Sequence, residues 1–178
     1  METSESEIIE STKNWIREIV IGLNFCPFAA KPFKADLIEY RVDDSDELAA
    51  SLETFIASCH YLENNPELET GLVIYSQGYK DFEDYLSLVE LAEKLLIAEG
   101  FEGIYQVASF HPNYLFAGSD EEDPANYTNR SPFPMLHILR EDLLEIAIEK
   151  HVDVDAIPDQ NIEKANQLGL EYFKKLKF

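Results

Sequence analysis

Cysteine is scarce: Cys26 and Cys59 are the only two in 178 residues. Two thiols make no disulfide framework, and a reducing, cytoplasmic setting is expected. Basic residues are also few. Lys and Arg number 14 against 35 Asp and Glu, a formal net charge of −21. A field of that sign repels phosphate backbones and anionic lipid, so neither nucleic acid nor a membrane is an expected partner. A solvated, soluble surface is the plain reason for such acidity. No apolar run approaches the roughly 20 residues of a membrane span, and the acidic N-terminus lacks the basic start of a signal peptide. No C-x-x-C, H-x-H or H-E-x-x-H spacing supports a metal site, and no Walker loop or G-x-G-x-x-G supports a glycine-cradled nucleotide. No repeat, low-complexity tract or linker divides the chain, so 1–178 is read as one domain, long enough to bury a core.

What is present reads as α/β. Ser4 and Glu7 have capping-box spacing, and Ile8, Thr12, Trp15, Ile16, Ile19, Val20 and Leu23 then recur at helical period. That helix is expected to end near Asn24, ahead of Pro27 and Pro32. Leu37 to Val42 alternates as a strand. A helix capped by Asp44 or Ser45 carries Leu48, Leu52, Phe55, Ile56 and Cys59. Gly71 to Ser76 is a continuous apolar run, the mark of a strand buried on both faces. The next helix turns Phe82, Leu86, Val89, Leu95 and Leu96 inward and stops at Gly100. Tyr105 to His111 and Met135 to Leu139 are the last strands. A short helix from Glu141 to Lys150 and a long one from Asp159 to Lys175 follow, the latter with Ile162, Ala165, Gly169, Tyr172 and Leu176 on its stripe. The order is α-β-α-β-α-β-β-α-α. It predicts a small, mostly parallel or mixed four-stranded sheet packed with helices.

The last two strands bracket residues 110–134, a stretch of Pro, Gly, Asn, Asp and aromatics without period. Aperiodic loops this long are uncommon in compact domains. The aromatics argue against disorder, so an ordered loop that builds a site is expected. His111 and His137 flank it. If the strands pair antiparallel the two imidazoles can share a face, and imidazole suits acid–base chemistry at neutral pH. Each is otherwise a hydrogen-bonded strand residue. A divalent metal, zinc or iron, would take both histidines with Asp123, Glu141 or Cys26 as third ligand. The run Asp120 to Asp123 lacks the alternation of a calcium loop and reads as a solvated turn. Cys26 is a candidate nucleophile or ligand, although the end of a helix disfavours a thiolate; the alternative is a small core residue. Cys59 lies on a core stripe. His60 is expected at the surface, and His151 follows a helix end that favours a cation without further function. Arg130 with Asn129 and Ser131, together with Arg140, supply donors for a carboxylate or phosphate; the alternative is ion pairing within an acidic chain. Asn113, Asn126 and Asn129 also suit turns.

Three segments, L-N-F-C-P-F-A at 23–29, S-F-H-P-N-Y-L-F at 109–116 and N-R-S-P-F-P-M-L-H-I-L-R at 129–140, carry a resemblance. Together they resemble a family of bacterial proteins of about this length that is known only as a domain of unknown function. The resemblance extends over most of the chain. It implies no substrate, cofactor or catalytic residue.

Three readings follow. One is an enzyme acting on a small anionic molecule, with His111 or His137 moving the proton, Arg130 holding the anion and Cys26 as an outside candidate. Another is a non-catalytic ligand- or protein-binding module, with Tyr114, Phe116, Tyr127 and Phe133 of the loop as anchors. The third is scaffold alone. Burial discriminates them: a concave pocket with converging His, Arg and Cys favours the enzyme, exposed aromatics a partner, and inward aromatics a scaffold. Leu23 to Ala29 is also expected against the loop, because Phe25 and Phe28 are each worth about 1.5–3 kcal/mol when buried.

Overall fold

Ser4 opens the first helix as its spacing requires. Its hydroxyl accepts the Glu7 amide, and Glu7 accepts the Ser4 amide in return. The computed structural model of the chain describes residues 3–150 and 153–178, so His151 lies outside the described residues. Helix α1 (Glu5–Trp15) runs into a wider π-helical turn (Ile16–Ile21), in which the Gly22 amide reaches back to the Arg17 carbonyl. A short helix α2 (Ala30–Lys34), not foreseen from the prolines, follows. Pro32 sits in its first turn, where a missing N–H costs nothing.

The remaining elements are β1 (Ile38–Asp43), α3 (Leu48–Asn64), β2 (Thr70–Tyr75), α4 (Phe82–Ala98), β3 (Tyr105–Phe110), β4 (Met135–Arg140), α5 (Glu141–Glu149), α6 (Ile157–Leu168) and α7 (Leu170–Phe173). They form a mixed four-stranded sheet in the order β1-β2-β4-β3. β1 and β2 pair in parallel, as expected for a strand–helix–strand crossover. β3 runs the same way but is not their neighbour. The chain turns back after β3, and β4 enters antiparallel between β2 and β3. That central slot explains why Met135, Leu136 and Ile138 are fully buried.

Helices cover both faces. On one, Phe55, Cys59 and Leu62 of α3 and Tyr85, Leu88, Ala92 and Leu96 of α4 pack on Val73, Tyr75, Leu136 and Ile138. On the other, Ile8, Trp15, Ile16, Ile19 and Phe25 join Leu72, Ile74 and Met135, closed by Ala165 and Phe173.

Three local expectations are corrected. Asp44 and Ser45 do not cap α3, which begins after Glu47 without a side-chain cap; Ser45 accepts the Glu47 amide and so shapes the approach to the helix. In α4 the inward stripe is rotated, leaving Leu86 39 % exposed. The rotation is set by Tyr85, whose hydroxyl donates to the Met135 carbonyl at 2.6 Å and accepts the Phe110 amide at 3.0 Å. The last helix breaks at Gly169, whose φ of 77° belongs to the left-handed region that glycine enters without penalty. Beyond the break, Phe173 turns inward in place of Tyr172.

Candidate functional site

The segment between β3 and β4 is held by its own polar groups. Asn126 is fully buried; its carbonyl accepts the Phe116 amide and the Ser119 hydroxyl, and its amide donates to the Asp120 carbonyl. Arg130 donates from Nε to the Tyr114 carbonyl at 3.1 Å and from Nη2 to the Glu121 carbonyl at 3.0 Å. Its Cζ lies 4.5 Å from the centre of the Tyr127 ring. Asn129 donates to the Ser109 carbonyl, Ser131 to the Phe133 carbonyl, and Asp123 accepts the Ala125 amide. The Trp15 indole ties α1 to this segment through the Arg130 carbonyl. Tyr127 stacks on Phe173 and Tyr114 packs against Phe82, while Phe116 is 37 % exposed. These contacts maintain the loop's shape.

His111 and His137 do not meet. β3 and β4 do pair antiparallel, but His137 stands opposite Ala108, so the even-numbered residues of β3 share its face. His111 falls on the other face, between the rings of Phe82 and Tyr85. It is fully buried. Its Nε2 donates to the Tyr79 carbonyl at 2.8 Å, and its Nδ1 accepts the Asn113 amide at 3.0 Å. Burial lowers its pKa, and both ring nitrogens are engaged.

His137 lies instead on the floor of a cavity of about 480 Å³. Trp15, Ile16 and Val20 form one wall, and Cys26, Pro27 and Phe28 a second. Leu143, Leu144 and Ala147 of α5 close a third side, and Thr70, Leu72 and Phe110 share the sheet floor with His137. The sequence 25–28 therefore serves both the core, through Phe25, and this cavity. α5 follows β4 directly and buries no residue fully; its apolar side faces the cavity.

The polar contact at the floor fixes a tautomer. Thr70 Oγ1 donates its one proton to the Ile138 carbonyl at 2.6 Å, so at 2.7 Å it accepts from His137 Nε2. The ring is then neutral with Nδ1 as its basic nitrogen, and Nδ1 has no hydrogen-bond partner among the described residues. Burial pushes the His137 pKa down to about 4. The Cys26 thiol is pushed up by burial, offset in part by the amides of Phe28 and Ala29. It is protonated at neutral pH, and desolvation is the leading cause, ahead of any effect of the preceding helix end.

Charged groups surround the opening. Lys31 pairs with Glu69. Arg140 lines the cavity, but its guanidinium donates to the carbonyls of Leu62, Asn65 and Leu68 and so caps the end of α3. Lys150 also lines it and has no ion-pair partner among the described residues. Among the described residues no three His, Cys, Asp or Glu side chains converge as metal ligands, and no helix is long and apolar enough to cross a membrane.

Sequence reasoning missed Thr70, Lys150 and the α5 wall. The apolar positions Leu143, Leu144 and Ala147 were the available signal for α5, whereas nothing marks Thr70 before the register of β2 with β4 is known. Comparison with the curated proteins and with the solved structures finds no match. A protein-family model does match, over residues 7–175, and the chain belongs to that family, a protein of unknown function, DUF1415.

Proposed function

We propose that the cavity beneath α5 binds a small molecule with an apolar body, a hydrogen-bond donor at its inner end and an anionic group at its outer end. The observation that carries this reading is the free Nδ1 of His137 on an otherwise apolar floor. A volume of about 480 Å³ suits a small metabolite; ligand pockets run roughly 300–1,000 Å³, mostly apolar with few polar groups. The neutral imidazole accepts from a ligand hydroxyl or N–H. An anion stays at the opening, where burial does not penalise its charge and Lys150 faces it. Arg130 and Arg140 are not used, since backbone carbonyls hold them.

Proton transfer is the chemistry this contact supports. At a pKa near 4 His137 is a weak base, so it takes a proton only from an acidic donor at the ligand's inner end. Cys26 adds a thiol to the same wall. A reducing compartment fits the two free thiols.

The test is a thermal-shift and calorimetric screen of hydroxycarboxylic acids, with the matching hydroxyamines as controls. Acids are expected to bind and amines not. Leu144→Trp should fill the cavity and abolish binding, and His137→Phe should remove the preference for a hydroxylated ligand. Binding that survives Leu144→Trp, or no preference for acids, would sink the proposal.

A further inference from the structure

A second group of polar side chains lies on the opposite face of the sheet, where the parallel strands β1 and β2 end. Asp43 and Tyr75 are register partners and so project side by side. Asp43 is 5 % exposed; Tyr75 and Ser51 are fully buried. Tyr79 places its ring edge-on to Tyr75, with centroids 5.2 Å apart. Asp43 Oδ2 and the hydroxyls of Ser51, Tyr75 and Tyr79 are all shut off from solvent; Asp43 Oδ1 accepts the Ser45 amide, whereas Oδ2 and the Tyr75 hydroxyl have no partner and the Ser51 and Tyr79 hydroxyls have only each other. Asp43 acts electrostatically on both tyrosines, and Ser51 lies beside the Tyr79 hydroxyl. The four groups thus share one place in the fold.

The surrounding backbone is closely fitted there. A Cβ on Gly78 would come within 3.1 Å of the Ser45 carbonyl and 3.3 Å of Asp46 Cα, so the loops leaving β1 and β2 fit tightly against each other at this glycine. Tyr79 takes a left-handed φ of 59°, and its carbonyl is held by His111. In open α/β sheets, the crevice beyond the carboxyl ends of parallel strands is where ligands bind.

From this geometry we infer that Asp43, Ser51, Tyr75 and Tyr79 form a binding site for a monovalent alkali cation. Four hard oxygens suit an alkali or alkaline-earth ion and not a thiol- or imidazole-seeking metal. One carboxylate among three neutral hydroxyls matches a single positive charge. A buried charge needs a compensating partner, and no Lys, Arg or His forms an ion pair with Asp43 among the described residues. The adjacent loop adds Asp44, Asp46 and Glu47, all exposed, which attract cations further. A water molecule would meet the hydrogen-bonding demand and leave the carboxylate charge uncompensated.

The experiment compares the melting temperature in sodium or potassium chloride with that in choline chloride at the same ionic strength, which holds general screening of the acidic surface constant. Choline is too large for the site. The alkali salt is expected to raise Tm by about 2–4 °C, the shift for a ligand at several times its Kd. Asp43→Asn should erase the difference, and Asp44→Asn, at an exposed acid, should leave it. If Asp43→Asn does not fold, Tyr79→Phe keeps the ring, removes one oxygen and should reduce the difference. Equal melting in alkali and choline salts, as a buried water would give, overturns the assignment. So does an alkali effect that survives in both Asp43→Asn and Tyr79→Phe.

Discussion

Burial weakens the hold of both His137 and His111 on a proton. His137 has its pKa pushed down from 6.5 to about 4 by burial, and His111 is lowered for the same reason. Between those two pH values the unfolded chain binds a proton at residue 137 that the folded chain refuses. Stability associated with His137 is therefore intact above about pH 6.5 and falls as pH drops toward 4. The shift corresponds to about 3 kcal/mol. His137→Gln removes the titration and keeps a donor for Thr70. Its urea-unfolding free energy should fall less between about pH 7 and about pH 4.5 than that of the parent. Identical pH slopes for variant and parent would mean that His137 titrates normally. The parity that separates His137 from His111 could not be read from residue types. Both end up neutral, yet only His137 keeps a free nitrogen, because Asn113 occupies the equivalent atom of His111.

The segment from 111 to 134 is an element in its own right, although the only regular part is a 3-10 turn at Pro124–Thr128. Its length, prolines, asparagines and aromatics were legible. Its role was not, because a guanidinium that grips a ligand and one that grips backbone carbonyls look alike in sequence. Arg130→Lys keeps the charge and loses both carbonyl bonds and the stacking on Tyr127. It should destabilise the fold by about 1–3 kcal/mol, a drop of roughly 2–4 °C in Tm for each 1 kcal/mol. Asn126→Ala should cost a similar amount, since it removes the acceptor of the Phe116 amide and the Ser119 hydroxyl from a fully buried position. Calorimetry checks both. An Arg130→Lys protein with unchanged Tm but altered binding of a small acid would return the anion site to the loop.

Across the whole molecule, the two faces of the sheet are sealed differently. α3 and α4, each linking two strands consecutive in the chain, complete one face, whereas the other depends on both ends of the chain. Ala165 and Phe173 from the C-terminal helices lie fully or almost fully buried against the cluster that α1 builds, and Asn161 donates to the Phe25 carbonyl. Deleting residues 157–178 should uncover Trp15, Ile19 and Tyr127. The shortened chain is expected to bind a hydrophobic dye and to lose its sharp melting transition, as burial and not sequence position dictates. A truncated protein that still melts cooperatively, without dye binding, would show that α6 and α7 are dispensable.

Local chemistry in the sequence was enough for the four strands and the main helices, the capping box at Ser4, the two-sided burial of β2 and the α/β class, though not for α2 or the break at Gly169. These rest on periodicity, propensity and side-chain hydrogen bonds that span a few residues. The tertiary structure decided the rest. Which strand occupies the slot beside β2 depends on competing pairings far apart in the chain, and one residue of register moves a side chain to the other face. That single rule placed His137 over the cavity and His111 in the opposite core, and set Asp43 beside Tyr75. Long-range register, which no local pattern encodes, brings residues 26, 70, 137 and 150 to one cavity.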